Sequence, residues 1–380
     1  MKNKTLIIIV IIAATAAALS LGIYQKRTHQ INASLLQIEQ LMYERPDSAW
    51  KILQHMPSIS QLRKEEQALH ALLFTQAQYK NYIPVKSDSL LRIAEAYYRT
   101  SSDSLHKAWT LFYLAQYYRD SNEKEKALSY FQQANIASRN IENNQFKFLL
   151  NLHWAGLLTN EDAYEKGIEK YQTANRYAIL LKDTLKQINL YGKWGWCCLL
   201  KEEDERADSL FNVGLTLSAT TKDRIYDKYL LNRLSLTARE RKDYKRALEL
   251  VNRSLSLAKD STELYPLWGN KGKILLEMNQ YDSAHFYLSK DTRDYDPYFR
   301  VSRYLDWSIY EEKIKNLPKA LEYSKRYAEL LDTIYQERLD SKVANLQHKY
   351  DYSLIQSENK LLKIKRQRLY ISLTASAWRY

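Results

Sequence analysis

Glycine and proline are scarce, with 8 and 6 positions in 380 residues, against usual shares of about 7% and 5%. That scarcity argues against tight turns and Gly-rich phosphate loops, and it removes the main helix breakers. Cysteine is rarer still. Cys197 and Cys198 are adjacent, and neighbours on a helix point about 100° apart, so a bridge between them would be strained. Two small buried residues is the reading that remains. The spacings that chemistry needs are also missing. The seven His are scattered, and neither HExxH, CxxC, GxGxxG nor GxxxxGK[ST] occurs, which points away from an enzyme and implies no cofactor or metal.

What is present suits helices. At 45% hydrophobic and 27% charged the chain is too apolar for disorder. Its 380 residues exceed the roughly 250–300 at which a single core stops growing, so several domains or a repeat array are required. Thirty-one Tyr fit large helical interfaces, where the ring packs and the hydroxyl reaches water.

The net charge of +13 resembles a nucleic-acid signal until it is located. Lys2, Lys4, Lys26 and Arg27 flank the N-terminal apolar run, and Lys360, Lys363, Lys365, Arg366, Arg368 and Arg379 lie in the last stretch; setting these aside leaves +3 for residues 28–359. A duplex-binding stripe is therefore not expected. The first residues, "MKNKTLIIIVIIAATAAALSLGIY", carry the charged start and apolar run of an export signal. Leu6 to Tyr24 is also about the length that spans a bilayer. A cleaved signal and an uncleaved anchor both fit, and both place the body outside the cytoplasm, in the periplasm.

Self-similarity organises the rest. In "LFYLAQYYRDSNEKEKALSYFQQA" a small residue, Ala115, is followed by Ala127, Phe131 and Ala134. The same ruler fits Ala155, Gly167, Tyr171, Ala174; Gly195, Ala207, Phe211, Gly214; and Ser235, Ala247, Val251, Ser254, each displaced by 40 residues. Two further copies, Gly272, Ala284, Leu288 and Ser308, Ala320, Ser324, follow at 37 and 36. This is tetratricopeptide (TPR) spacing: two antiparallel helices approach closely where both carry small residues, and an aromatic fills the groove beside them. The expected fold is all-α, a right-handed α-solenoid of tetratricopeptide-like hairpins ending in a long C-terminal helix.

Pro46-Asp47-Ser48 interrupts an apolar-periodic run, and Asp-Ser returns at Asp88-Ser89, Asp103-Ser104, Asp208-Ser209 and Asp282-Ser283. We read these as helix starts, with Asp as cap, and not as catalytic pairs. The ruler divides the chain into residues 1–27 (signal or anchor), 28–103 (N-terminal hairpins), 104–328 (repeats), 329–372 (long helix or coiled coil) and 373–380 (tail). In the long helix Val343, Leu346 and Tyr350 form one apolar stripe and Leu354, Leu361 and Ile364 another, offset by a stutter. A coiled-coil homodimer and a helix folded back on the solenoid end both fit.

The stretches "LMYERPDSAWKIL", "ALLFTQAQYKNYIPVKSDSLLRIAEAYY" and "KYDYSLIQSENKLLKIKRQRLY", with the ruler copies between them, resemble the membrane-associated TPR regulators common in Bacteroidetes, over residues 33 to about 372. The resemblance implies an exported solenoid, a coiled-coil stalk and often a second membrane span leading to a cytoplasmic output segment such as a helix-turn-helix. The chain departs where that span is expected, reading "TASAWRY" after Leu373. A basic cluster at Lys363, Lys365, Arg366 and Arg368 would then face anionic lipid headgroups.

In TPR solenoids the first helix of each hairpin lines the concave surface. The ruler places Arg119, Asn189, Trp196, Asn232, Arg233, Arg239, Asn270 and Lys273 there. Asn and Arg suit a peptide's backbone or carboxylate and Trp196 an apolar anchor, whereas inter-repeat contacts are the plainer role, and the Lys/Asn pattern of carboxylate-clamp repeats is absent. The expected function is a non-enzymatic, membrane-anchored, extracytoplasmic TPR scaffold for a protein or peptide. The alternative is the sensor arm of a membrane-bound transcriptional regulator without its output domain.

Overall fold

In the computed structural model the described residues are 30–222, 224–292 and 297–337. The anchor expected at 1–27, the apolar stripes beyond 337 and the tail at 373–380 lie outside them. Among the described residues there is no strand, and no helix is long and apolar enough to cross a membrane.

Among the described residues sixteen α-helices follow one another as antiparallel hairpins, in two compact units divided after Thr221. The first unit holds α1 (30–44), α2 (Pro46–Gln54), α3 (Lys64–Lys80), α4 (Ser89–Tyr98), α5 (Ser104–Asp120), α6 (Lys124–Ala137), α7 (Asn144–Asn160), α8 (Tyr164–Leu181), α9 (Thr184–Leu200) and α10 (Asp204–Ser218). The second holds α11 (Asp227–Glu240), α12 (Tyr244–Ser256), α13 (Ser261–Glu277), α14 (Tyr281–Lys290), α15 (Pro297–Lys313) and α16, helical from 317 to the last described residue, 337.

The ruler marks real close approaches. Ala115, Ala127, Phe131 and Ala134 have no exposed surface, as is true of Ala207 and Phe211. A Cβ on Gly195 would stand 2.5 Å from Cε1 of Phe211, and one on Gly272 would stand 2.7 Å from Cδ2 of Leu288. Where the small residue is Ser, its hydroxyl finds an acceptor across the same contact: Ser235 Oγ donates to Ala247 O at 2.8 Å and Ser308 Oγ to Ala320 O at 3.2 Å. These contacts tie the first helix of each hairpin to the second. The first unit's core grows outward from them through Trp109, Phe112, Phe131, Phe146 and Trp154, and the second unit's through Leu275, Leu276, Ala284, Leu288 and Tyr310.

Tight turns are present after all. Within each of six hairpins the connection passes through one left-handed residue, Asn122, Asp162, Glu202, Lys242, Asn279 or Lys315, with φ between 58° and 64°. At Lys242 the next amide, Asp243 N, reaches back to Ala238 O at 2.9 Å while Lys242 N bonds Arg239 O at 2.8 Å. This is the Schellman pattern that glycine usually serves. The turns therefore exist without glycine, because each helix end is closed by two backbone bonds that offset the unfavourable φ.

The Asp-Ser pairs divide. Asp103 caps α5, accepting from His106 N at 3.0 Å. Asp47 and Asp282 stand in first turns without capping, and Asp88 precedes α4 but gives its carboxylate to Arg92 and Tyr118. Asp208 sits inside α10 and accepts from Asn212. Asn143, Asp183 and Asp243, none of them followed by Ser, cap α7, α9 and α12, and Asp260, which precedes Ser261, caps α13.

Candidate functional site

First helices lie side by side within each unit, and a single row of positions stands two residues before each small ruler residue: the buried Tyr113, then His153 and Lys193, in the first unit, and Arg233, Asn270 and Asp306 in the second. Of these the sequence reading selected Arg233 and Asn270. The remaining four share the register but no common chemistry, and the register alone would have found them.

In the first unit Gln116 and Arg119, both on α5, converge on His153. Gln116 Nε2 and Arg119 Nη1 both donate to His153 Nδ1, at 3.0 and 3.1 Å. Burial, with the positive charges of Arg119 and Lys193, pushes this imidazole down to about 3, so it is neutral and accepts at Nδ1. Arg119 also clasps Asp120 through two bonds to one carboxylate oxygen, 2.7 and 2.9 Å. Asn189 and Trp196 stand half-buried on α9, flanking Lys193 along the helix. The structure thus brings Arg119 to an inter-hairpin contact with α7 and leaves Asn189 and Trp196 on the next first helix.

In the second unit the reading's residues meet directly. Asn270, with only 5% exposure, donates through Nδ2 to Asn232 Oδ1 (2.9 Å) and Ser235 Oγ (3.1 Å), and accepts from Arg239 Nη1 at 3.2 Å. Arg239 turns its other nitrogen to Glu240 at 2.7 Å. One turn on, Lys273 Nζ donates to Ser302 Oγ at 2.8 Å and pairs with Asp306 at 3.1 Å. Burial carries the Asp306 carboxyl up to about 6, against the pull of Lys273 and Arg239. Arg233 lies over the Tyr229 ring, 4.8 Å from its centre. A buried amide satisfied on both ends fixes the spacing of α11 and α13. The sequence missed Ser235, Ser302 and Asp306 as its members.

Arranged this way, each unit's face can donate and accept hydrogen bonds along a chain laid across its own first helices. Both thiols are buried, and burial pushes Cys198 up to about 12, which makes it inert. Among the described residues no group of three or more His, Cys, Asp or Glu is placed to hold a metal ion.

No protein-family model and no curated protein matches the sequence. Solved structures do. The chain is similar to the apo form of RapI at 16% identity, covering 71% of this chain and 99% of that one with a TM-score of 0.59. It is similar to NprR in complex with its cognate peptide NprX at 15% identity, covering 80% and 88% with a TM-score of 0.60. A tetratricopeptide repeat protein from Parabacteroides merdae matches at 13% identity, covering 73% and 98% with a TM-score of 0.53. At such identities the likeness shows the fold, a TPR-like helical solenoid.

Proposed function

We propose that the protein is a non-enzymatic TPR scaffold that binds a peptide or an extended protein segment on its first-helix face, and that its N-terminal apolar run holds the body outside the cytoplasm at a membrane. The observation that carries the binding reading is the Asn232–Asn270–Arg239 ladder. Asn270 takes the carbonyl oxygen of Asn232, so the half-buried Asn232 ends the ladder with its amide N–H groups directed to whatever lies on the face. A peptide backbone offers the alternating acceptors and donors such a ladder reads. NprR, of the same fold, is seen with a peptide bound. The anchor rests on residues 1–27 of the sequence, and the membership among Bacteroidetes membrane-associated regulators rests on the stretches quoted above.

The test is a fluorescence-polarisation screen of a synthetic octapeptide library against the purified full chain in mild detergent. Binders are expected, with affinity falling about tenfold, roughly 1.4 kcal/mol, in an Asn232→Ala variant that melts normally. A screen without binders, or binders indifferent to that substitution, overturns the reading. Protease added to spheroplasts should digest the body, and its full protection would overturn the location.

A further inference from the structure

One ion pair of the second unit's face lies below its surface. Asp306, on α15, has a side chain only 13% exposed, and Lys273, on α13, pairs with it at 3.1 Å. Among the described residues Lys273 is the one cation that pairs with this carboxylate. Its Nζ has a second acceptor, Ser302 Oγ at 2.8 Å, so the ammonium keeps a partner when the carboxylate is protonated. Arg239, on α11, adds positive charge without an ion pair, being bonded to Asn270 and Glu240, and Asp291, in the chain after α14, adds a like charge. His285, the titratable group that α14 sets against α15, meets the rings of Trp307 and Tyr310. A buried carboxyl with a single counter-charge gives up its proton reluctantly, because burial penalises the ionised form. Here burial outweighs Lys273 and Arg239 and carries the group from 3.8 to about 6, so both protonation states lie within reach of neutral pH.

We propose that the Lys273–Asp306 pair is a proton-operated charge switch on the second unit's first-helix face. Acidification neutralises Asp306 and leaves the charge of Lys273 uncompensated. Lys273 follows Asn270 by one turn, so that charge appears beside the Asn232–Asn270–Arg239 ladder. Arg239 keeps Glu240 as its own counter-ion, and the two pairs together pass from balanced to singly positive. The acid state therefore favours a ligand with negative charge at this point, an acidic peptide. That consequence rests on the reading of this face as the binding face; the switch itself does not. Protonation does not loosen the fold either. A carboxyl raised above its unfolded value binds its proton more tightly in the folded protein, so stability grows as pH falls from about 6 towards 3.8.

The experiment compares the full chain in mild detergent with Asp306→Asn, which fixes the neutral state, and Lys273→Met, which removes the counter-charge. In urea titrations between about pH 7.5 and 4.5 the wild type's unfolding constant should fall about tenfold or more relative to that of Asp306→Asn. In Lys273→Met the same gain should begin at higher pH, since the carboxyl without its ammonium holds its proton longer. Should Asp306→Asn fail to fold, the wild type and Lys273→Met alone give the shift. In fluorescence polarisation, rhodamine-labelled hexaglutamate should bind the wild type about threefold or more tightly at about pH 5.5 than at 7.5. Asp306→Asn should hold it tightly at both, and neutral hexaglutamine should show no such change. A constant stability difference between wild type and Asp306→Asn, or titration of Lys273→Met at the wild-type pH, overturns the switch. Hexaglutamate held equally at both pH values, or not at all, overturns the switch's part in binding, whereas a failed octapeptide screen overturns the binding reading and leaves the stability result standing.

Discussion

Replacing Gly195 by Ala sets two effects of known sign against each other, and the structure decides which wins. Alanine improves helix propensity by about 1 kcal/mol over glycine. At Gly156, in α7, the added methyl would meet only Tyr171 Oη at 3.9 Å, so the gain is uncontested and Gly156→Ala should stabilise by about 0.5–1 kcal/mol. At Gly195, in α9, the methyl would stand 2.5, 2.7 and 3.0 Å from three atoms of the fully buried Phe211 ring, which has nowhere to retreat. Overpacking of that kind costs about 1–3 kcal/mol, so Gly195→Ala should be destabilising by about 1 kcal/mol net, opposite in sign to Gly156→Ala. Phe211→Leu, itself destabilising through a cavity, should recover much of the loss when combined with Gly195→Ala, giving a coupling of about 1 kcal/mol or more in a double-mutant cycle. Urea titrations followed by far-UV circular dichroism, compared at constant m-value, read all four proteins. Equal stabilisation by the two Gly→Ala changes, or a coupling near zero, would refute the claim that small residues at this ruler position exist to admit the aromatic sixteen residues on.

Two more expectations come from the same structure. The left-handed turn residues should accept glycine: Glu202→Gly, Lys242→Gly and Lys315→Gly each relieve a φ of 62–64°, and their combination should add about 1–3 kcal/mol by urea titration, whereas Asn122→Gly, already a tolerated type, should change little. His106 lies between Glu39 and Asp103, at 3.0 and 2.5 Å; burial alone would lower its basicity, but the two carboxylates raise it from 6.5 to about 9. A raised folded value means the stabilisation is complete below pH 6.5 and is lost as pH rises through about 9. The wild type should therefore lose about 1–3 kcal/mol more than His106→Gln between pH 6.5 and 9.5, and equal losses in the two proteins would count against the ion pairs.

The repeat was legible because close helix approach tolerates few residue types. Ala115, Gly195, Ser235 and Gly272 are chemically different but alike in being small, and Phe131, Phe211 and Leu288 are alike in filling the groove; size recurs with a fixed spacing, so the eye finds it. The turns were not legible for the complementary reason. Left-handed backbone is usually announced by glycine, and here Asn122, Asp162, Glu202, Lys242, Asn279 and Lys315 adopt it because the two backbone bonds that close each helix supply what the side chain does not. His106 was hidden differently: its partner Glu39 is 67 residues away in sequence, and no local pattern joins them.

The candidate site lies between these cases. Arg119, Asn232, Arg239, Asn270 and Lys273 were identified as face residues from register, and the structure adds what register could not: the amide of Asn270 is committed on three sides, and Lys273 is held by Ser302 and Asp306. Those residues are therefore braces between hairpins before they are contacts for a ligand, and substituting Asn270 would test stability more than recognition. After the buried Tyr113, the row two positions before each small residue carries His, Lys, Arg, Asn and Asp in turn. Packing fixes its geometry and leaves its chemistry free, which is the condition for one solenoid backbone to serve many partners.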